Sequence, residues 1–258
     1  MRSPLHIPLP LLALLLCTLT ISACGSSDSV IHIDGSSASI SKPTLNHWMK
    51  AFVGEDFRQV IGTKGPIGLA AEPANYGECA TAAKKVIPRS FAGHLKLNDE
   101  QIRHKCVELA AAVKEQAMSF LISVQWEILM GAEQGIHISE AQVHREFART
   151  RKARYPTEAD LQIYLSDRHL ALSDVLYELK RNMLVRGILP KFEARVARAG
   201  GGEARYTELA LKRYKGLVAK TSCKAGYVAP SCRQYREGGT HPPPPNVTLE
   251  QFVKGESG

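Results

Sequence analysis

The chain has 258 residues, of which 44% are hydrophobic and 22% charged, and its formal net charge is +8. This length fits one helical domain with extensions and is short for two full domains. Apolar residues that recur with a regular period exclude global disorder. The basic residues are spread along predicted helices and no nucleic-acid-binding motif is present, so we expect no nucleic-acid partner. We interpret most of the charge as solvated faces, with attraction to a membrane surface as a second role.

The first 23 residues have the pattern of an export signal peptide. An apolar run at 11–19 is too short for a spanning helix, and small residues precede Cys24 in the sequence ISAC, which resembles a bacterial lipobox. Two acyl chains on such a cysteine give a stable anchor. An ordinary signal peptide with a chance cysteine is the alternative. We expect a lipid-anchored protein on the extracytoplasmic face of the cell membrane, with residues 24–29 as the lipidated tether.

Four cysteines remain once the signal and the lipid site are set aside. They are Cys79, Cys106, Cys223 and Cys232. Four cysteines allow three connectivities, and we favour Cys79 with Cys106 and Cys223 with Cys232 because each pair closes a short loop. Loop entropy gives these disulfides about 3.5 and about 2.5 kcal/mol of stabilisation. A zinc site is the competing interpretation, but the sequence has no CxxC pair.

The N-terminal part predicts a small β-element and then a helix. Residues 30–33 are typical of a strand, Asp34-Gly35 of a turn, and 38–40 of a possible return strand. Ser41 is a helix cap with a proline two positions later. The stretch at 54–77 is rich in glycine and proline, and we expect a long loop there, of the kind that is functional or disordered.

The remainder predicts a series of helices. Capping boxes indicate helix starts after Asn98 and Ser139, and Thr157 restarts a helix after the break at Tyr155-Pro156. The helix after Asn98 is predicted to run to about residue 134 and is apolar on two sides, which indicates burial between neighbours. Ser173 is expected to open a long helix that Pro190 kinks. Three glycines at 200–202 predict a flexible joint before a last helix at 203–219.

The order of these features resembles a known family. The lipobox followed by VIHIDGSSASISKPTLNHWMKAF resembles the start of SurA N-terminal-domain and PrsA-like foldase lipoproteins. Residues 115–172 are similar to the helical core of that family, and TSCKAGYVAPSC resembles the C-terminal segment of its actinobacterial members, cysteine pair included. The resemblance covers about residues 17–235.

The resemblance implies a mainly α fold with a SurA N-terminal-domain-like helical chaperone domain at 30–199. It also implies a short N-terminal β-strand or hairpin and a C-terminal helix and disulfide-tied segment at 203–235 that packs on this domain. The proline run that follows His241 predicts a flexible tail at 236–258. PrsA-like relatives carry a parvulin isomerase domain before the C-terminal helix. Here Val196 leads through three glycines almost directly into Tyr206, which leaves no room for that domain.

We therefore expect a chaperone or holdase that binds unfolded or newly exported polypeptides in an apolar cleft, with no cofactor and no catalytic residues. Two alternatives stay open. One is a peptidyl-prolyl isomerase of the PrsA type, and the other is a non-catalytic envelope adaptor that binds one folded partner. The sequence has no GxSxG, Walker or GxGxxG motif. The nine histidines form no metal motif and no i, i+4 pair with a carboxylate, so we interpret them as surface or core residues.

Large aromatic and thioether side chains are the candidate client-binding residues, because such groups adapt to varied partners. They are Trp48, Phe52, Met118, Trp126 and Met130. The alternative is that they belong to the core, particularly Trp126. Trp48 and Phe52 stand beside the predicted loop at 54–77, and we expect them to border an exposed groove.

Overall fold

A computed structural model describes residues 28–36, 39–61, 67–71, 74–90 and 98–235. The signal sequence, Cys24 and the tail at 236–258 lie outside these residues. Within them the protein is mainly helical, with seven α-helices, one 3-10 helix and three short strands. None of the helices in these ranges has both the length and the apolarity needed to cross a membrane.

The strands are β1 (Ser29–Ile33), β2 (Ser39–Ser41) and β3 (Thr221–Cys223). The helices are α1 (Lys42–Ile61), α2 (Tyr76–Ser90), α3 (Asp99–Glu133), α4 (Glu140–Arg154), α5 (Glu158–Asp167), α6 (Leu172–Arg198) and α7 (Glu203–Lys220), and the 3-10 helix Ile67–Ala70 lies between α1 and α2.

The small antiparallel sheet joins the two ends of the described chain in the order β2-β1-β3. The predicted N-terminal hairpin is present, with Ile31 opposite Ile40. On its other side Ile31 lies opposite Cys223 of β3, a strand that the sequence did not predict. Beneath this junction the indole Nε1 of Trp126 donates a 2.9 Å hydrogen bond to the buried hydroxyl of Thr221. The C-terminal segment is thereby attached both to the sheet and to α3.

The prediction of a long loop at 54–77 is wrong. Helix α1 continues to Ile61, and α2 begins at Tyr76. Between them, Leu69 and Ala70 of the 3-10 helix are at most 1% exposed and belong to the main core. Leu69 and Ala70 are buried although the sequence around them is rich in glycine and proline, because tertiary packing overrides local propensity.

The long helix α3 is the centre of the fold and packs against α1, α2 and α6. Its predicted start is confirmed, since Asn98 and Gln101 form a reciprocal capping box. The start of α4 after Ser139 is also confirmed by a capping box. Helix α6 begins at Leu172, slightly before the predicted Ser173, because the Asp174 carboxylate accepts a 2.6 Å bond from the N–H of Ala171.

Both favoured disulfides are present. Cys79–Cys106 ties α2 to α3, and Cys223–Cys232 closes the segment that follows β3. The two long C-terminal helices, α6 and α7, are joined by residues 199–202, in which the three glycines all have positive φ. Only glycine adopts this conformation without steric cost, so the tight reversal between α6 and α7 depends on them. Pro190 lies inside α6, which continues beyond it to Arg198.

Candidate binding cleft

The structure places four of the five candidate client-binding side chains in the core. Trp48, Met118, Trp126 and Met130 are at most 4% exposed, and Phe52 is partly buried. Among the described residues no exposed groove borders Trp48, because the rings of Phe120 from α3 and Tyr177 from α6 lie 4.5 and 5.9 Å from its ring. These aromatic residues form a packed cluster that holds α1 against α3 and α6.

A buried ion pair lies next to this aromatic cluster. The Arg181 guanidinium donates three hydrogen bonds of 3.0–3.1 Å to the Glu127 carboxylate and lies over the Phe120 ring. Burial raises the pKa of Glu127 to about 7, although the bonds from Arg181 act in the opposite direction. The pair joins the middle of α3 to the middle of α6. No group of three or more potential metal ligands occurs in the described part of the chain. The three bonds between Arg181 and Glu127 hold α3 against α6.

An open apolar cleft lies elsewhere, where the end of α3 meets α6 and α7. It has a volume of about 460 Å³. Its floor is made of the buried side chains of Met130, Ile188 and Leu217. Its walls are the partly buried side chains of Leu189, Phe192 and Leu209. This volume falls within the range of small-ligand sites.

The cleft exists because α7 turns back over α6 without covering it completely. Phe192 of α6 meets Tyr206 of α7 edge-to-face at 5.3 Å, close to the glycine joint. Further along, Leu217 packs into the core while Gly216 beside it has no side chain. A Cβ built on Gly216 meets no atom within 4 Å. The glycine therefore leaves one side of the cleft open.

The rim of the cleft is basic. Arg195, Lys212, Arg213 and Lys220 lie around it with Glu133 as the one acidic lining residue. Arg213 is bonded to Glu133. Arg195, Lys212 and Lys220 have no ion pair with any residue in the described ranges. Four positive charges and one negative charge give the rim a net charge of +3.

One polar group in the cleft lacks a partner. Gln134 follows α3 and lines the cleft, and its side-chain carbonyl oxygen is buried without a hydrogen bond to any described residue. Its backbone carbonyl, in contrast, accepts a 2.6 Å bond from Lys191 Nζ. A buried acceptor without a donor is costly. Because this oxygen is shut off from solvent, the N–H of a ligand reaches it only after the Gln134 side chain turns toward the cleft.

Of the candidate residues from the sequence, only Met130 lines this cleft. The α7 wall was missed, although Leu209, Gly216 and Leu217 follow a helical spacing in which a glycine interrupts the apolar face. The expectation about the histidines is wrong in one detail, since exposed His104 lies 3.3 Å from Glu108 at i, i+4 spacing. His47 also lies 3.0 Å from Asp174.

Comparison of the chain with protein-family models, with curated proteins and with solved structures finds no match.

Proposed function

We propose that this protein is a membrane-anchored extracytoplasmic chaperone that holds unfolded segments of exported proteins in the cleft between α3, α6 and α7. The observation that carries the proposal is the cleft itself, in which the partly exposed apolar walls Leu189, Phe192 and Leu209 stand over a buried apolar floor. Open apolar surface is costly for a soluble protein, and where it is concave it indicates binding of an apolar partner. The resemblance to SurA N-terminal-domain lipoproteins, drawn from the order of sequence motifs, supports the same class.

Two disulfides support a place outside the cytoplasm, because cytosolic thiols are kept reduced. Lipidation of Cys24 would tether the cleft at the membrane where exported chains emerge, and tethering raises the effective concentration of such clients. Mass spectrometry of the mature protein tests this part of the proposal. We expect an N-terminal cysteine with a diacylglyceryl group, and an unmodified N-terminus would contradict it.

The short connection between α6 and α7 supports a holding function over isomerase catalysis. Residues 199–202 pass directly from one helix to the next, where PrsA-like proteins have their catalytic domain. Clients would therefore be bound and released without catalysed isomerisation of their X–Pro bonds.

The test is suppression of aggregation. The mature protein with Cys24→Ser is mixed with several chemically denatured clients, and light scattering is followed as they are diluted from denaturant. We expect reduced scattering for many clients at stoichiometric amounts. No reduction at excess would discard the proposal, and a strong effect restricted to one folded partner would instead support an envelope adaptor.

The cleft can be tested by filling it. Gly216→Phe places a ring where the glycine leaves the cleft open, and Gly216→Ala is the matched control. Alanine meets no atom within 4 Å and favours the helix by about 1 kcal/mol, so the control should fold at least as well. We expect Gly216→Phe to lose most of the suppression and Gly216→Ala to keep it. Equal activity of the two variants would exclude this cleft as the client site.

A further inference from the structure

We propose that the cleft selects a particular class of client: extended segments in which apolar side chains are flanked by carboxylates. This inference rests on the proposed function and assigns its substrate class. It depends on three properties of the cleft, namely its apolar floor, its basic rim and its unpartnered acceptor.

The floor limits the size of the ligand. A volume of about 460 Å³ lies in the lower half of the range for small-ligand sites, which is roughly 300–1,000 Å³. A short stretch of a polypeptide with a few apolar side chains fits this volume, whereas a folded surface does not enter it. Met130, Ile188 and Leu217 at the floor offer no hydrogen-bond partner, so they select for apolar groups.

The rim then discriminates by charge. Arg195 stands on the α6 side and Lys212 and Lys220 on the α7 side, and none of the three is neutralised by a carboxylate in the described ranges. Positive charges on both sides of the apolar cleft attract a ligand with negatively charged ends and repel one with positively charged ends. The expected preference is for aspartate or glutamate next to the apolar residues.

The unpartnered oxygen of Gln134 favours a polypeptide over a lipid. A peptide backbone carries an N–H at almost every residue and can donate to this acceptor once the Gln134 side chain turns toward the cleft. An acyl chain has no such donor. The acyl chain of an anionic lipid, which would also suit an apolar floor with a basic rim, therefore leaves this acceptor unpaired.

The experiment compares three fluorescent peptides with the same apolar centre and flanks of glutamate, glutamine or lysine. Binding to the mature Cys24→Ser protein is measured by anisotropy at low and high salt. Each exposed charge pair contributes little, so three rim cations together predict roughly 5- to 10-fold tighter binding of the glutamate peptide than of the lysine peptide. Salt should reduce this ratio, because the rim charges are exposed to solvent.

Charge reversal tests whether the basic rim causes the preference for the glutamate peptide. The double variant Arg195→Glu, Lys212→Glu should invert the preference, so that the lysine peptide binds better than the glutamate peptide. Lys215→Glu is the matched control, since it makes the same change on α7 at an exposed position outside the cleft. The control should keep the preference of the unaltered protein.

The remaining outcomes separate this inference from the proposed function. Equal binding of all three peptides, blocked by Gly216→Phe, would overturn the charge selectivity and leave the chaperone function standing. Aggregation suppression without binding of any peptide would overturn the assignment of clients to this cleft. Cleft-dependent binding to vesicles of anionic phospholipid, with no peptide binding, would assign the cleft to lipid instead.

Discussion

The buried ion pair between α3 and α6 gives the sharpest test of how this fold is held together. Arg181→Met removes the guanidinium and leaves the Glu127 carboxylate, whose side chain is 2% exposed, among apolar groups without its three hydrogen bonds. Breaking one partner of a buried pair costs about 3–5 kcal/mol. Replacing both partners, with Glu127→Leu and Arg181→Met, removes the uncompensated charge. We therefore expect the double variant to be more stable than the single one by several kcal/mol.

The contribution of Glu127 to the free energy of unfolding decreases as the pH rises. The pKa of Glu127 is raised in the folded protein, from 4.5 to about 7, because burial disfavours the carboxylate. The folded state thus binds the proton more tightly than the unfolded state. The stabilisation from this group is complete below about pH 4.5 and is lost as the pH rises to about 7. A shift of this size corresponds to roughly 3 kcal/mol. Glu127→Gln removes this dependence.

The measurement is urea denaturation of the unaltered protein, Arg181→Met, Glu127→Gln and the double variant Glu127→Leu, Arg181→Met at pH 5, 6, 7 and 8. Without the guanidinium the Glu127 pKa should rise further, so Arg181→Met should lose stability at higher pH than the unaltered protein does. The reasoning would be refuted if Arg181→Met cost less than about 0.5 kcal/mol at pH 8, the range of ordinary surface substitutions. It would also be refuted if Glu127→Gln retained the same pH slope.

Three further predictions concern stability. Thr221→Val leaves the buried Trp126 indole N–H without an acceptor and should cost about 1–3 kcal/mol in the same urea assay, whereas no loss would mean that this bond is replaced by another. Joint replacement of Cys79 and Cys106 by alanine opens a loop of sequence separation 27 and should lower the unfolding free energy by about 3.5 kcal/mol. An unchanged urea midpoint would contradict the loop-entropy argument. Pro190→Ala restores a helix hydrogen bond in α6 at an exposed position and should raise stability by up to about 3 kcal/mol, whereas a loss would show that the proline shape is needed by its neighbours.

The local signals in the sequence were sufficient to place most helix starts. Asn98 and Ser139 cap α3 and α4 as predicted, because a capping box involves only residues three positions apart. The start of α2 was missed although Asn75 Oδ1 accepts a bond from the N–H of Glu78, which is a capping pattern in the same spacing. The capping pattern was not recognised because the sequence around Asn75 is rich in glycine.

The features that sequence reasoning missed depend on residues far apart in the chain. Trp48 is covered because Phe120 and Tyr177 converge on it from two other helices, and no periodicity within α1 indicates that. The cleft is likewise a product of three helices, of which α7 supplies the open side through Gly216. Glu127 interrupts the apolar face of α3 and Arg181 that of α6. Only the fold shows that the two side chains meet.

The position of β1 in the middle of the sheet has a consequence for the order in which the fold can be completed. As the chain is synthesised, Ile31 is made early, whereas its neighbour Cys223 comes from the far end of the described residues. Until that end arrives, β1 presents an unpaired edge, which is a template for association with other chains. A polypeptide that stops short of Thr221 therefore lacks both a strand and the acceptor for Trp126. The topology in this way makes an unfinished copy different from a finished one at the edge of β1, where backbone groups stay unpaired.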